Sequence, residues 1–301
     1  MKVVVLAGGF GGARFARALA ENADDVTIVG NVGDDAEILG LHISPDLDSI
    51  LYALAGLGDE ERGWGRRDET WNALETVGAL GGETWFQLGD RDLGLHLVRA
   101  QALRAGEPLS EVTKRFVAAL GVGATVLPAT DDPLRTWVET PAGDFPFQDW
   151  YVGRGHRDEV TGVRYEGDAK AAPGVLEVLA AADLIAIAPS NPYLSIGPIL
   201  AIEEIRAALE QRRVPAVAVS PLIEGKTVKG PADRMLARLA GGTSPAHVAS
   251  VYEGLIDTLV VDEADAGSAE SPVPVVVTRT LMDGADARRR LAEAALSVPV
   301  A

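Results

Sequence analysis

The sequence predicts an α/β protein of Rossmann-like type, with a mostly parallel sheet, a helical insertion and a β-hairpin flap. Three observations predict it. A β-branched run from Val3 to Ala7 ends in a glycine cluster, a helical pattern follows over Arg14–Glu21, and a second apolar run covers Val26–Val29. Strand, glycine turn, helix, strand is the opening of a doubly wound sheet whose strands are buried on both faces. Compact apolar runs of the same kind return at Leu184–Ala188, Val214–Val219, Thr258–Val261 and Val273–Thr278. Helical periodicity fills the gaps at Ile199–Gln211 and Asp233–Leu239 and returns at Ala285–Leu296.

The middle of the chain reads differently. From Leu47 to about Leu120 the pattern is largely helical, with turns at Gly56-Leu57-Gly58, Gly81-Gly82 and Gly106. Arg135–Thr140 and Asp144–Val152 flank Pro141-Ala142-Gly143, which predicts a hairpin. We read residues 47–120 as an insertion and residues 134–152 as a flap, both on the carboxyl edge of the sheet, within one domain spanning 1–301. Glu263–Ser271, rich in Asp, Glu, Ala and Ser, reads as an exposed connection.

Composition narrows the function. The 301 residues are 47% hydrophobic, and 27 Lys plus Arg against 44 Asp plus Glu leave a net charge of −17. Duplex nucleic acid and anionic membranes both reward a basic face, so neither is an expected partner. The absence of cysteine excludes disulfides, thiolate metal sites and cysteine nucleophiles. Lys2 leads only a short apolar run that stops at Gly8, unlike a signal peptide, so a cytoplasmic protein is expected.

Ala7-Gly8-Gly9-Phe10-Gly11-Gly12-Ala13-Arg14 follows the first strand and opens the first helix. Glycines there let the backbone come within hydrogen-bonding reach of phosphate oxygens, with free N–H groups and the helix dipole facing the anion. Arg14 is a candidate charge partner. The loop departs from a dinucleotide fingerprint, because the third glycine would fall at Arg14 and Asn31, not an acid, ends the second strand. It is no P-loop either, since neither Lys nor Ser/Thr follows the last glycine. A tight turn without a ligand is the plainer alternative.

Asn31-Val32-Gly33-Asp34-Asp35 and Pro45-Asp46-Leu47-Asp48 supply carboxylates to the same edge. Beside a phosphate loop they would repel an anionic ligand unless a hard cation sits between them, and magnesium takes one or two carboxylates plus substrate oxygens. Helix capping is the alternative. It explains one of Asp46 and Asp48 and leaves Asp34-Asp35 unexplained.

These passages occur together with Arg62-Gly-Trp-Gly65, Glu69-Thr-Trp-Asn72, Trp85-Phe-Gln-Leu-Gly-Asp-Arg-Asp92, Phe147-Gln-Asp-Trp150, Ala188-Pro-Ser-Asn-Pro192 and Ser195-Ile-Gly-Pro-Ile199. In order and spacing, over residues 1 to about 240, the set resembles the 2-phospho-L-lactate transferase family of coenzyme F420 biosynthesis, including its phosphoenolpyruvyl transferase branch. The resemblance implies a magnesium-dependent transfer from a guanosine diphospho-conjugate of lactate or enolpyruvate to the ribityl hydroxyl of the deazaflavin Fo, with release of GMP. It also implies a homodimer. Such a transfer needs positioning and charge neutralisation more than a covalent nucleophile.

Carried over by the resemblance, Gly8, Gly9, Phe10, Gly11, Gly12 and Arg14 would hold the donor phosphates, and Ser190, Asn191 and Ser195 the nucleotide. Asp34 and Asp48 would bind magnesium, with Asp48 also placed to accept the acceptor's proton. Trp64, Thr70, Trp85, Arg91 and His96 would join Asp48 in the Fo pocket. Each has a plainer reading: a turn and cap for the Ser-Asn-Pro loop, core for the tryptophans, and a solvated helix face for His96 with Arg99, three residues on. Two rival classes are a non-catalytic nucleotide-sugar-binding regulator of a related family and an NAD(P)-dependent oxidoreductase. The Trp/Arg-rich stretch Arg62–Asp92 argues against the first, Arg14 and Asn31 against the second.

Overall fold

The computed structural model describes residues 1–268 and 271–298. β1 (Lys2–Ala7) runs into α1 (Gly9–Asn22), and β2 (Asp25–Gly30) follows. α1 starts inside the glycine run, earlier than expected, so Gly9 to Gly12 are its first turn. β3 (Ala36–Ile38) and β4 (Leu41–Ile43) make a small hairpin ahead of α2 (Pro45–Leu54). α3 (Asn72–Ala79), α4 (Asp90–Arg104) and α5 (Leu109–Ala119) complete the helical stretch, and β5 (Thr125–Pro128) returns to pair with β2.

β6 (Arg135–Thr140) and β7 (Gly143–Pro146) form the hairpin, which β8 (Gly162–Glu166) extends to three antiparallel strands. The second strand of the flap does not run on to Val152 as expected. It stops at Pro146, and Asp149–Gly153 is a π-helical turn that buries Trp150. α6 (Val175–Ala181) leads to β9 (Leu184–Ile187), a second π-helical turn at Pro192–Ile196, and then α7 (Gly197–Ala201) and α8 (Glu203–Glu210). The single helix expected over Ile199–Gln211 is therefore two, broken at Ile202, whose ψ of 107° is extended.

β10 (Ala216–Val219) precedes a short hairpin of β11 (Leu222–Ile223) and β12 (Lys226–Thr227). α9 (Ala232–Leu239), α10 (Pro245–Val251), β13 (Thr258–Asp262), β14 (Val275–Thr278) and α11 (Ala285–Leu296) complete the order. The exposed connection expected over Glu263–Ser271 opens instead as a 3-10 helix, Glu263–Ser268, in which Asp265 is buried and accepts from the Gly225 N–H at 2.9 Å. Ala269 and Glu270 lie outside the described residues.

The main sheet has the order β14-β13-β10-β9-β1-β2-β5, and every pairing in it is parallel. Its strands read as unbroken apolar runs because alternate residues serve two cores. Val3, Val5 and Ala7 pack with Phe15 and Leu19 on one face, and Val4 and Leu6 with Ile199 and Ile205 on the other. Each such side chain contributes about 1.5–3 kcal/mol on burial. The chain leaves β1 toward β2 on one side, while β9 pairs with β1 on the other. Loops leaving the carboxyl ends of β1 and β9 therefore part at a topological switch point, where open α/β sheets bind ligands. No helix among the described residues is long and apolar enough to cross a membrane.

Candidate active site

At that switch point lies a cleft of about 820 Å³. The glycine turn forms its floor, the first turn of α2 and the loop after β9 two of its walls, and the flap and residues 60–65 its rim. The glycines are there for space. A Cβ on Gly8 would lie 2.4 Å from Asp46 Oδ2 and 2.9 Å from Ser195 Cβ, and Gly9 has a φ of +68° that side chains resist. The Ser190 hydroxyl, buried behind the turn, donates to the Gly8 carbonyl at 2.7 Å. The two switch-point loops are thus bonded to each other before any ligand arrives.

Asn31 directly follows β2 and is fully buried. Its side-chain oxygen accepts from the Gly33 N–H at 2.8 Å, and its amide donates to Asp46 Oδ2 at 2.9 Å and to the Leu194 carbonyl at 3.2 Å. The position where a nicotinamide enzyme keeps a ribose-binding acid is therefore filled by an internal strut. Asp46 is no helix cap, since Ser44 holds that place and no side chain caps α2. Asp46 instead points back at the glycine turn and faces Asp34 across the Asn31 amide, which lies 3.4 Å from Asp34 Oδ1. Burial, with Asp35 adding to it, raises the Asp46 pKa to about 6 although Asn31 and the Gly9 N–H bond the carboxylate. Burial, then the charges of Asp46 and Asp35, also raises Asp34. Asp35 Oδ2 is engaged locally, accepting from Ser44 Oγ at 2.9 Å and lying 2.7 Å from His42 Nε2.

Asp48, two residues after Asp46 in the first turn of α2, meets a partner from the insertion. Arg99 on α4 is almost wholly buried and grips both Asp48 oxygens, one of them at 3.0 Å from Nη1. His96 lies beside this pair, with Nδ1 3.6 Å from Asp48 and Nε2 3.3 Å from Asp92. The Tyr52 hydroxyl, on α2, donates to Asp92. Burial works against the Asp92 charge, yet His96 and Tyr52 hold its carboxyl below the ordinary range. A buried polar chain thus pins α4 to α2 beneath the cleft, and Asp48, His96, Tyr52 and Asp92 all line it. The solvated face available to His96 and Arg99 is not what the structure shows.

The remaining expected residues divide. Gly8, Gly9, Phe10, Gly11, Arg14, Asp34, Trp64, Ser190, Asn191 and Ser195 line the cleft, while Gly12 sits just behind it against Ser190. Asn191 also caps the turn that follows, its side-chain oxygen accepting from the N–H groups of Tyr193 and Leu194. Arg14 donates to the Met282 carbonyl and lies 3.8 Å from Glu60. Thr70, Trp85 and Arg91 are not among the residues lining the cleft. Thr70 donates to Asp90, which also accepts from Asn72 and Ala73 and so anchors the start of α3. Trp85 packs edge-on to Phe86, which does line the cleft, and donates to Glu83. Arg91 is exposed. The arginine beside the tryptophans has a structural reason: Arg62 stacks 4.7 Å from Trp64 and 5.3 Å from Trp71.

Sequence reasoning missed several cleft residues. Phe147, Tyr151 and His156 form an aromatic shelf on the flap side, with ring centroids 5.1 Å and 5.0 Å apart along the row. The π-helical turn carries Tyr151 into the cleft, and a strand in its place would not. Tyr52, Asp92 and Lys229 were missed as well. Phe147 and Asp92 lie within the motifs Phe147–Trp150 and Trp85–Asp92, whereas Tyr52, Tyr151, His156 and Lys229 carry no signal in the sequence.

Comparison with known proteins places this architecture. The family model described as 2-phospho-L-lactate transferase CofD matches residues 3–285. A Streptomyces griseus protein named phosphoenolpyruvate transferase is 43% identical over 310 residues, covering 97% of this chain and 98% of its own. One of the same name from Streptomyces coelicolor is 44% identical over 277 residues, covering 88% and 86%. In fold, the chain is similar to a crystal structure of a UPF0052 family member from Bacillus halodurans, with a TM-score of 0.65, 19% identity and coverage of 98% and 99%. A model match over nearly the whole length, backed by full-length identities above 40%, means that this chain belongs to the 2-phospho-L-lactate transferase CofD family.

Proposed function

We propose that the protein transfers a phosphoenolpyruvyl group from a guanosine diphospho-conjugate to the ribityl hydroxyl of Fo in coenzyme F420 biosynthesis. The observation that carries this reading is the meeting of the glycine turn, the buried carboxylates and the Ser190–Ser195 loop in one switch-point cleft. The names of the relatives favour enolpyruvate over lactate as the three-carbon acid. In the transfer, the hydroxyl oxygen forms a bond to the phosphorus bearing the enolpyruvate, the anhydride bond breaks, GMP leaves, and the hydroxyl proton is released.

The chain's residues fit a divalent cation. Asp34 and Asp46 are crowded carboxylates with raised proton affinity, a repulsion that a cation would relieve. Among the described residues no group of three or more His, Asp or Glu is arranged to hold a metal ion, so magnesium here would take one or two carboxylates and complete its shell with substrate oxygens. Asp34 and Asp48 would hold it with Asp46 adjacent, since each Asp48 oxygen keeps a lone pair beyond the one facing Arg99. Bound there, magnesium would neutralise phosphate charge.

Donor phosphates would lie over the α1 N-terminus, where Phe10 and Gly11 offer N–H groups and the Gly9 N–H is taken by Asp46. Trp64 and the aromatic shelf present faces for the two planar rings, deazaflavin and guanine. Asp48, held in place by Arg99, would accept the hydroxyl proton. The test is to incubate the purified protein with Fo, the guanosine diphospho-conjugate of enolpyruvate and magnesium, and to follow product and GMP chromatographically. Product should form and should vanish in excess chelator. No product with either the enolpyruvyl or the lactyl donor would remove the reading.

A further inference from the structure

The cleft is lined by one lysine and two arginines, and they are not equivalent. Arg62 is paired with Asp59, and Arg14 lies within ion-pair distance of Glu60. Lys229, in the turn after β12, has no carboxylate within ion-pair distance among the described residues. Its ammonium donates to two carbonyls of the opposite rim, Arg62 at 3.1 Å and Gly63 at 2.9 Å. Gly63 has a φ of +72°, which favours glycine, and the missing side chain leaves room for the ammonium, since a Cβ there would lie 2.8 Å from Nζ. Carbonyls orient an ammonium without cancelling its charge. An ammonium has three donors, and two are spent here. The third makes no hydrogen bond among the described residues, and Nζ lies 5.9 Å from the ring of Phe10 in the glycine turn. In a chain with a net charge of −17, an uncompensated cation at the mouth of a cleft floored by N–H groups is unusual.

We propose that Lys229 is a binding residue for the diphosphate of a nucleotide in the cleft, and that it couples occupancy of that site to order in the Asp59–Gly65 loop. The inference rests on the nucleotide reading above and extends it. An anion on the third donor fixes the ammonium in place against the Arg62 and Gly63 carbonyls, so the loop bearing Trp64 becomes more ordered as the nucleotide binds. The acceptor's pocket is then completed by the donor.

GDP is the probe. It is titrated calorimetrically into the wild-type protein, Lys229→Met and, as a control, Lys226→Met on the exposed side of the same hairpin. The Lys229→Met variant should lose about tenfold or more in affinity, the scale of one charge-assisted contact, and Lys226→Met should bind as wild type. Limited trypsin digestion, with cleavage after Arg62, Arg66 and Arg67 followed by mass spectrometry, reads the loop. GDP should protect it in the wild type and not in Lys229→Met at matched saturation. Lys229→Arg, which keeps the charge, should retain most of the affinity and shows that loss in the methionine variant is not misfolding. Wild-type affinity in Lys229→Met overturns the binding role, and equal protection overturns the coupling. If wild-type protein does not bind GDP, the nucleotide reading fails first and this inference with it.

Discussion

Asp48 and Asp46 sit two positions apart in one helical turn, yet their surroundings give them opposite needs. Asp48 faces a buried guanidinium. Replacing it by Asn should lower turnover on the order of a hundredfold, the scale of one transition-state charge contact. The sequence offered no reason for the fold to suffer. The structure does: the substitution strands the Arg99 charge in the interior, at about 3–5 kcal/mol. Asp48→Asn should therefore melt well below wild type. Asp48→Asn combined with Arg99→Met should recover much of the melting temperature and none of the turnover, and equal melting of all three would refute the account. Asp46 is the reverse case. With its pKa raised from 3.8 to about 6, the folded state prefers it protonated. The stability it contributes is complete below about pH 4 and is lost as pH rises through about 6. Asp46→Asn mimics the protonated form, so it should match wild type near pH 4 and exceed it by roughly 3 kcal/mol at pH 7.5 without a divalent cation. Melting curves at the two pH values measure this, and a pH-independent difference would contradict it.

At the scale of elements, the insertion does two jobs. α4 braces α2 from behind through Arg99, whereas the Asp59–Gly65 loop faces the cleft with Trp64. Arg91, exposed on α4, does neither. Trp64→Ala should raise the KM for Fo several-fold and leave the donor's KM nearly unchanged, while Arg91→Ala should change neither. Steady-state kinetics with each substrate varied in turn decides it, and a rise confined to the donor's KM would reassign Trp64. What was legible in the sequence follows from how elements are buried. β1, β2, β9, β10, β13 and β14 announce themselves because both faces are apolar. β5 did not: it is four residues long, at the sheet's edge, and ends in proline. The two π-helical turns have no periodic signature. α4 was read as helix, but its partner-facing side is polar, so Arg99 looked like a surface residue. Buried charge pairs are invisible to hydrophobic patterning, and they are what this site is built from.

Over the whole molecule, ligand choice follows from what occupies the carboxyl edge. The Asn31 side chain is already engaged within the protein, so the strand end that a nicotinamide enzyme gives to a ribose-binding acid is closed, and the Ser190–Ser195 loop forms one wall of the cleft. GDP or GMP should bind more tightly than ADP or NAD in parallel calorimetric titrations. Equal or tighter binding of NAD would return the oxidoreductase reading to the front. The same plan has a price in time. β1 is flanked by β2, which is nearby in the chain, and by β9, in register Val3 with Leu184. Synthesis from the ribosome therefore yields a half-paired central strand that must wait for some 180 further residues. Such distant pairings are slow to form, and until β9 arrives the β1 flank is an open sheet edge able to recruit another chain. A nascent chain stalled before Leu184 should thus be prone to aggregate, because the strand that carries the glycine turn is also the one left longest without a neighbour.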